Sequence, residues 1–111
     1  ESKVDIVSFD AYEFMDKYLM YWREIKAFLD RGGYLAWGIV PTSSKVINVS
    51  LNDLVKKLEE GIQFLISKGI SRTLIQQRSI ITPSCGTGTL TIAEAERVMA
   101  LTYELSIAMK D

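Results

Sequence analysis

Three mostly apolar runs, each followed by a polar turn and an amphipathic helix, divide the 111-residue chain into three similar units. The runs are VDIVSF, YLAWGIV and RSIIT, beginning at Val4, Tyr34 and Arg78. Their apolar residues are continuous and do not alternate with polar ones, as in strands that are covered on both faces of a parallel sheet. Strands that alternate with helices of four or more turns favour parallel βαβ units. The pattern predicts an α/β fold, in which residues 1–111 are one domain or part of one.

Apolar residues recur at helical spacing in three segments, 11–31, 51–68 and 92–110. Gly32 and Gly33 are expected to end the first helix with positive φ angles, and Gly69 to end the second. Residues 70–77 are ambiguous between a loop and a short turn of helix.

Two of the predicted helices begin with the spacing of a capping box. Ser50 with Asp53 precedes the second helix, and Thr91 with Glu94 precedes the third. In this motif the hydroxyl accepts a hydrogen bond from the backbone three residues on, and the carboxylate accepts one in return.

Three parallel strands in sequential order are not covered on both faces by their own helices. Crossovers between neighbouring parallel strands are right-handed in about 98% of cases, so the order 1-2-3 places all helices on one face. Val, Ile, Trp and Phe side chains would then form an apolar patch on the other face. The order 2-1-3 could place helices on both faces but leaves a thin sheet. We therefore interpret the chain as three of the eight units of a (β/α)8 TIM barrel, a partial barrel.

Composition excludes several classes of function. The net charge is −1, the isoelectric point is near 5.5 and no basic block occurs, which gives no indication of nucleic-acid binding. The apolar runs are too short to span a membrane, and the pattern of the opening residues does not predict a targeting segment. One cysteine excludes an internal disulfide and favours a reducing, cytoplasmic location. The absence of histidine excludes Ser-His-Asp or Cys-His catalysis by this chain alone.

Polar residues follow each strand. The strand ends carry Asp10 and Tyr12, then residues 41–44, then residues 83–86. Ligands of parallel α/β sheets bind at the carboxyl ends of the strands, which makes these residues site candidates. Turn geometry and helix capping require the same residue types, so the pattern alone does not separate the two roles.

Cys85, in ITPSCGTGTL, is open to several interpretations. A phosphatase-type loop needs arginine six residues after the cysteine, where this chain has Thr91, and a Walker loop needs a lysine that GTGTL lacks. An anion site formed by backbone N–H groups at 86–91 remains open. So does a buried, inert thiol, which is the commonest role of a free cysteine. A thiolate metal ligand completed by residues from elsewhere is the third reading.

IITPSCGTGTLT followed by AEAERVMALTYELS resembles the end of the catalytic barrel in the cobalamin-independent methionine synthase family, related to uroporphyrinogen decarboxylase. In that family the last strand ends in Pro-x-Cys-Gly. DIVSFDAYEF and YLAWGIVPTSS look like the two preceding strands. The likeness runs in order over essentially all 111 residues, as barrel units six to eight, the last three of the barrel.

The resemblance implies transfer of a methyl group, from a methyl-folate or a corrinoid, to a thiol such as homocysteine. Zinc in such an enzyme binds the thiol and lowers its pKa. Cys85 would be one zinc ligand, and Ser8 and Asp10 would contact the amino-acid substrate. Thr42, Ser43 and Ser84 are further substrate-binding candidates because they lie at the strand ends.

The remaining parts of such a site would come from outside this chain. The family's other zinc ligands, a His-x-Cys pair and a glutamate, belong to earlier strands, so zinc binding is expected only with the missing N-terminal barrel units or another chain. The family's synthases also carry a proton-donating histidine after the seventh strand, where this chain has Pro41 and Thr42.

Two non-enzymatic alternatives accompany this reading. The chain could be an α/β fragment or subunit whose uncovered sheet face associates with another chain or with itself in a homo-oligomer. The aromatic residues of the first unit suit such a surface, and they suit core packing equally well. A small anion-binding domain that uses residues 86–91 is the second alternative.

Overall fold

The chain folds as a mixed α/β structure around a three-stranded parallel sheet, in a computed structural model that describes residues 5–84 and 90–110. Two short helices follow the first strand; a 3-10 helix, a long helix and a short helix follow the second; and a long helix follows the third. The elements in chain order are β1 (Ile6–Asp10), α1 (Met15–Leu19), α2 (Trp22–Asp30), β2 (Tyr34–Val40), the 3-10 helix Ser44–Ile47, α3 (Leu51–Ser67), α4 (Arg72–Gln77), β3 (Ser79–Pro83) and α5 (Ile92–Lys110).

The strands lie in the order β1-β2-β3 with every pair parallel, which confirms the predicted α/β class. Of the two strand orders considered from the sequence, the sequential one is present. Four rows of register partners cross the sheet. They are Val7, Leu35 and Ser79, then Ser8, Ala36 and Ile80, then Phe9, Trp37 and Ile81, then Asp10, Gly38 and Thr82. The pairing of β2 with β3 shifts between Gly38 and Val40, where the sheet is irregular.

The row of Phe9, Trp37 and Ile81 points toward the helices. Phe9 packs at 5.1 Å between ring centroids against both Tyr18 and Trp37. A methyl group added to Gly61 of α3 would lie 3.1 Å from the Trp37 ring. Trp37 is 0% exposed and Phe9 is 6% exposed. Our expectation that Trp and Phe contribute to an exposed patch is therefore wrong, because the pleat directs both rings into the core under the helices.

The opposite side of the sheet, which we call the open face, is not covered by the described helices. Successive side chains of a strand point to opposite faces, so the rows of Ser8 and Asp10 lie on this side. Ile6 is 52% exposed and Ile80 is 38% exposed, and Ser8 is exposed as well. The predicted uncovered face is therefore present, with isoleucine as its apolar component.

The first helical segment is shorter than predicted and broken in two. The backbone turns over residues 11–14 before α1 begins, and a second turn at Met20 and Tyr21 separates α1 from α2. The break lets the two pieces pack differently: α1 buries Met15 and Leu19 and contacts α3, whereas α2 contacts β2. A single straight helix could not make both contacts.

Most of the predicted helix ends are confirmed. Gly32 and Gly69 adopt φ angles of +97° and +94° after α2 and α3. Gly33 does not have a positive φ; instead, a Cβ there would lie 2.4 Å from the Phe28 ring, so its small size is what the fold requires. The ambiguous segment 70–77 contains the six-residue helix α4.

Most of the capping contacts are also present. Thr91 and Glu94 make both bonds of the predicted capping box, at 2.9 and 3.1 Å. At Ser50, within the described residues, only half of the predicted capping box forms: its hydroxyl accepts a hydrogen bond from the backbone N–H of Asp53 at 3.1 Å, without the return bond to the Asp53 carboxylate.

Candidate functional site at the carboxyl edge of the sheet

Asp10 ends β1 and organises the turn that follows it. Its Oδ1 accepts hydrogen bonds from the backbone N–H groups of Tyr12 at 3.1 Å and Glu13 at 3.0 Å. The two N–H groups of Ala11 and Tyr12 also donate to the carbonyl of Gly38, at 3.0 and 3.2 Å, which ties this turn to β2. Asp10 thus has a clear structural role, and its half-buried carboxylate lies at the polar end of the open face.

Ser8 lies two residues before Asp10 on the same side of β1. It is exposed, and its register partner on β2 is Ala36. Ala36 is itself buried. Ser8 and Asp10 therefore share one surface, as their proposed common role in substrate binding requires.

Thr42 and Ser84 are brought together from the ends of β2 and β3. Thr42 Oγ1 donates to the carbonyl of Ser84 at 2.8 Å and lies 3.3 Å from its hydroxyl. The backbone N–H of Ser84 donates to the carbonyl of Val40 at 2.7 Å. These bonds hold together two strand ends that are 42 residues apart in the sequence, immediately before Cys85.

Ser43 has a local role. Its hydroxyl accepts from the backbone N–H of Lys45 at 3.3 Å and caps the 3-10 helix Ser44–Ile47, which was not predicted within this loop. Val46 in that helix is fully buried, so the loop is anchored by an apolar contact as well. Of the five candidate substrate contacts, Ser43 is the one whose observed bond belongs to a helix cap.

An ion pair joins the loops that follow β1 and β2. Lys45 Nζ lies 2.7 Å from Glu13 Oε1, and both side chains are about half exposed. The hydrogen bond to Glu13, with the attraction of its negative charge, raises the pKa of Lys45. A lysine whose folded pKa is raised contributes stability at neutral pH and loses it only when the pH rises into the alkaline range. Since solvent screens an exposed pair, its contribution to the free energy of unfolding is small.

Two residues at this edge, Thr82 and Gly38, were not predicted from the sequence to lie in the site. Thr82 shares the row of Asp10 and Gly38 on the open face and is half-buried. Gly38 lies between them, and a Cβ at this glycine would come within 2.8 Å of the carbonyl oxygen of Phe9. Strand alternation counted from Ile81 could have placed Thr82, but only the register across strands shows that it faces Asp10 over a glycine.

The zinc prediction centres on Cys85, which lies outside the described residues, as does most of the proposed anion loop at 86–91. Across 5–84 and 90–110, no three carboxylate, thiol or imidazole side chains come together as metal ligands would. Asp10 and Glu13, the carboxylates at this edge, are engaged with the turn and with Lys45. The described residues therefore do not form a three-ligand metal site by themselves.

None of the helices in the described part of the chain combines the length and the apolar character that crossing a bilayer requires. Searches against protein-family models, curated proteins and solved structures found no match to this chain.

Proposed function

We propose that this chain forms three consecutive βα units of a (β/α)8 barrel that transfers a methyl group to a thiol, as in the cobalamin-independent methionine synthase family. The observation that carries the proposal is the gradient along the open face. Ile6 and Ile80 occupy its amino-terminal and central parts, whereas Asp10 and Thr82 occupy its carboxyl end. In barrels of this architecture the interior is packed with apolar side chains and the site lies at the carboxyl end of the strands.

The side-chain chemistry of the residues at the carboxyl end of the strands suggests a role for each in binding the substrate. The carboxylate of Asp10 suits the ammonium group of an amino-acid thiol such as homocysteine, with which it would form a charge-assisted hydrogen bond. Ser8 lies on the same side of β1 as Asp10 and would donate a hydrogen bond to the substrate. Thr42 and Ser84 hold the ends of β2 and β3 together and so fix where the Pro-x-Cys-Gly segment leaves the sheet. Ser43 would contribute to substrate binding indirectly, because its hydroxyl caps the 3-10 helix Ser44–Ile47 in the loop beside the site.

Zinc, when bound by Cys85 and by ligands from the missing barrel units, would lower the pKa of the thiol so that the thiolate attacks the donor methyl group at neutral pH. In that transfer the bond from the methyl carbon to the donor breaks as the new carbon–sulfur bond forms. Methyl-folates and methyl-corrinoids are the two donor classes. The reducing conditions that keep the thiol available favour the cytoplasm.

The test uses the protein that contains this chain together with the remaining barrel units. We expect bound zinc and transfer of a labelled methyl group to homocysteine. Cys85→Ser should remove most of the zinc and lower the rate about 100-fold or more, because the metal's stabilisation of the thiolate amounts to several kcal/mol. Thr102→Ser, a conservative change on the outer helix α5, is the control and should retain both. Absence of zinc together with full activity of Cys85→Ser would exclude the proposal.

A second candidate is a non-catalytic subunit, favoured by the exposure of Ile6 and Ile80 on the open face. Its partner would cover these side chains as a further layer of structure. One comparison distinguishes the two candidates: a non-catalytic subunit would associate with its partner without binding zinc and without transferring a methyl group. Both require contacts that the described chain does not make with itself.

A further inference from the structure

A groove of about 450 Å³ lies on the helix side of the sheet, between α2 and the outer edge of β1. Its walls are apolar and include Val7, Phe9 and Leu35 from the strands and Ile25 and Phe28 from α2. It is separate from both the open face and the carboxyl edge. Although Val7 points toward the helices, it is 45% exposed, because no described element covers this side of β1.

The rim of the groove carries one acidic and one basic side chain at opposite ends of α2. Glu24 lies in its first turn and Arg31 at its carboxyl end, and both are exposed. Arg31 stacks on the Phe28 ring with its guanidinium 5.1 Å from the ring centroid, which holds the charge at the rim. The two residues are seven positions apart, or about 10.5 Å along the helix axis, so they do not pair with each other.

This arrangement is complementary to itself. In a two-fold symmetric pair, residue i of one copy contacts residue j of the other, and the reverse contact follows by symmetry. Two antiparallel copies of α2 place each Glu24 beside Arg31 of the second copy and centre the contact between Ala27 and Phe28. The same register brings Tyr21, which is 61% exposed at the groove, opposite the carboxyl end of the second copy's α2.

We propose that the groove is a docking surface for a second copy of this chain, joined through antiparallel α2 helices with two reciprocal Glu24–Arg31 ion pairs. Ala27, small and exposed on the groove side, permits close approach of the two helices at the two-fold axis. The inference does not rest on the proposed methyltransferase function, and it concerns the 111-residue chain without further barrel units. In a closed barrel the helix that precedes β1 would pack over this same groove, so the dimer and barrel closure are alternative ways of covering it.

Charge reversal tests the pairing in the 111-residue chain, by light scattering after size-exclusion chromatography and by sedimentation. The unaltered chain should form a dimer. Glu24→Arg or Arg31→Glu should each raise the dissociation constant by at least about tenfold, since each places like charges together twice in the symmetric dimer. The double variant should restore the dimer, because the reversed charges pair again across the interface. Lys26→Glu, on α2 but outside the groove, should leave it unchanged.

Circular dichroism of each variant checks that a lost dimer is not a lost fold. As an independent measurement, Ala27→Cys in a Cys85→Ser background should form an intermolecular disulfide under mild oxidation, because the two Ala27 positions flank the two-fold axis. Asp30→Cys, elsewhere on α2, should not. A monomeric chain at high micromolar concentration would overturn the proposal. So would a dimer that tolerates both single reversals, or a double reversal that gives no recovery.

Discussion

Gly38 combines structural and functional constraints in one residue. It lies on the open face between Asp10 and Thr82, and its carbonyl accepts the two N–H groups that fold the turn after β1. A Cβ at this position would lie 2.8 Å from the Phe9 carbonyl oxygen and 3.1 Å from the Cα of Ser84. Both obstacles are backbone atoms, so they cannot move aside as a flexible side chain would.

Gly38→Ala should therefore lower the free energy of unfolding toward the upper end of the range of about 1–3 kcal/mol found for overpacked sites. Urea denaturation followed by circular dichroism measures the change. Ser8→Ala, on the same face but exposed, is the matched control and should stay within about 0.5 kcal/mol of the unaltered chain. A neutral Gly38→Ala would mean that β1 and β3 lie farther from this glycine than the structure indicates.

The Trp37 indole depends on one partner for its polar atom. Its Nε1 donates to Ser79 Oγ at 2.9 Å, and the whole side chain is buried. Ser79→Ala should cost about 1–3 kcal/mol, the penalty for leaving a buried donor unsatisfied. The cost should shrink in a Trp37→Phe background, where no donor remains, and this double-mutant cycle is measured by denaturant unfolding. Ser67→Ala, whose exposed hydroxyl bonds within its own helix, is the control. Equal costs in both backgrounds would refute the role assigned to the bond.

Single-residue features could be predicted from the sequence when they are determined by neighbours a few positions away in the chain. The Thr91–Glu94 box and the positive φ at Gly32 and Gly69 follow from short-range chemistry, and all three are confirmed. The burial of Trp37 and the place of Thr82 depend on which way the pleat points and on the register between strands. Neither the direction in which the pleat points a side chain nor the register between strands can be read from a run of adjacent residues.

The stability of α5 depends on the hydrogen bonds of its first turn. This helix packs against β3 and α3, and it begins shortly after the segment that contains Cys85. The described portion resumes at Leu90, and Thr91 with Glu94 satisfies two backbone N–H groups there. These two bonds therefore stabilise the start of α5, which follows the segment that contains Cys85 in the sequence.

Thr91→Ala should destabilise the fold by about 1 kcal/mol, because the N–H of Glu94 loses its acceptor. Thr91→Ser keeps the hydroxyl and should retain most of the stability, which makes it the matched control. The midpoint of chemical denaturation reports both changes. If alanine and serine behaved alike, the threonine hydroxyl would have no part in starting the helix.

The break between α1 and α2 shows what element-scale patterns leave out. Apolar residues recur near helical spacing from 11 to 31, which predicted one helix, and the spacing is nearly continuous across the junction. The chain turns at Met20 and Tyr21 because Met15 and Leu19 pack toward α3 while α2 lies on β2. Helical periodicity records that both stretches have an apolar side but not that the two sides face different neighbours.

For the whole molecule, a general chirality rule predicted more than any motif did. Right-handed crossovers and sequential strand order imply helices on one side, and the exposure of Ile6, Ser8 and Ile80 agrees with that arrangement. The site could be predicted only to the level of an edge of the sheet. Its hydrogen bonds join residues as distant as Thr42 and Ser84, and loop conformation decides which candidates meet.

Closure into a barrel makes a prediction that distinguishes it from association through the open face. In an edge strand of a parallel sheet, alternate N–H groups point away from the neighbouring strand and lack a ladder partner. In the 111-residue chain, alternate amides of β1 should exchange rapidly with deuterated solvent, whereas those of the central strand β2 exchange slowly. In the protein with the remaining barrel units, the fast amides of β1 should become protected, because a further parallel strand pairs with that edge. The β2 amides serve as the internal control and should stay slow in both samples. If a partner buried Ile6 and Ile80 but left the alternate β1 amides fast, the chain would be associating through its face, and barrel closure would be refuted.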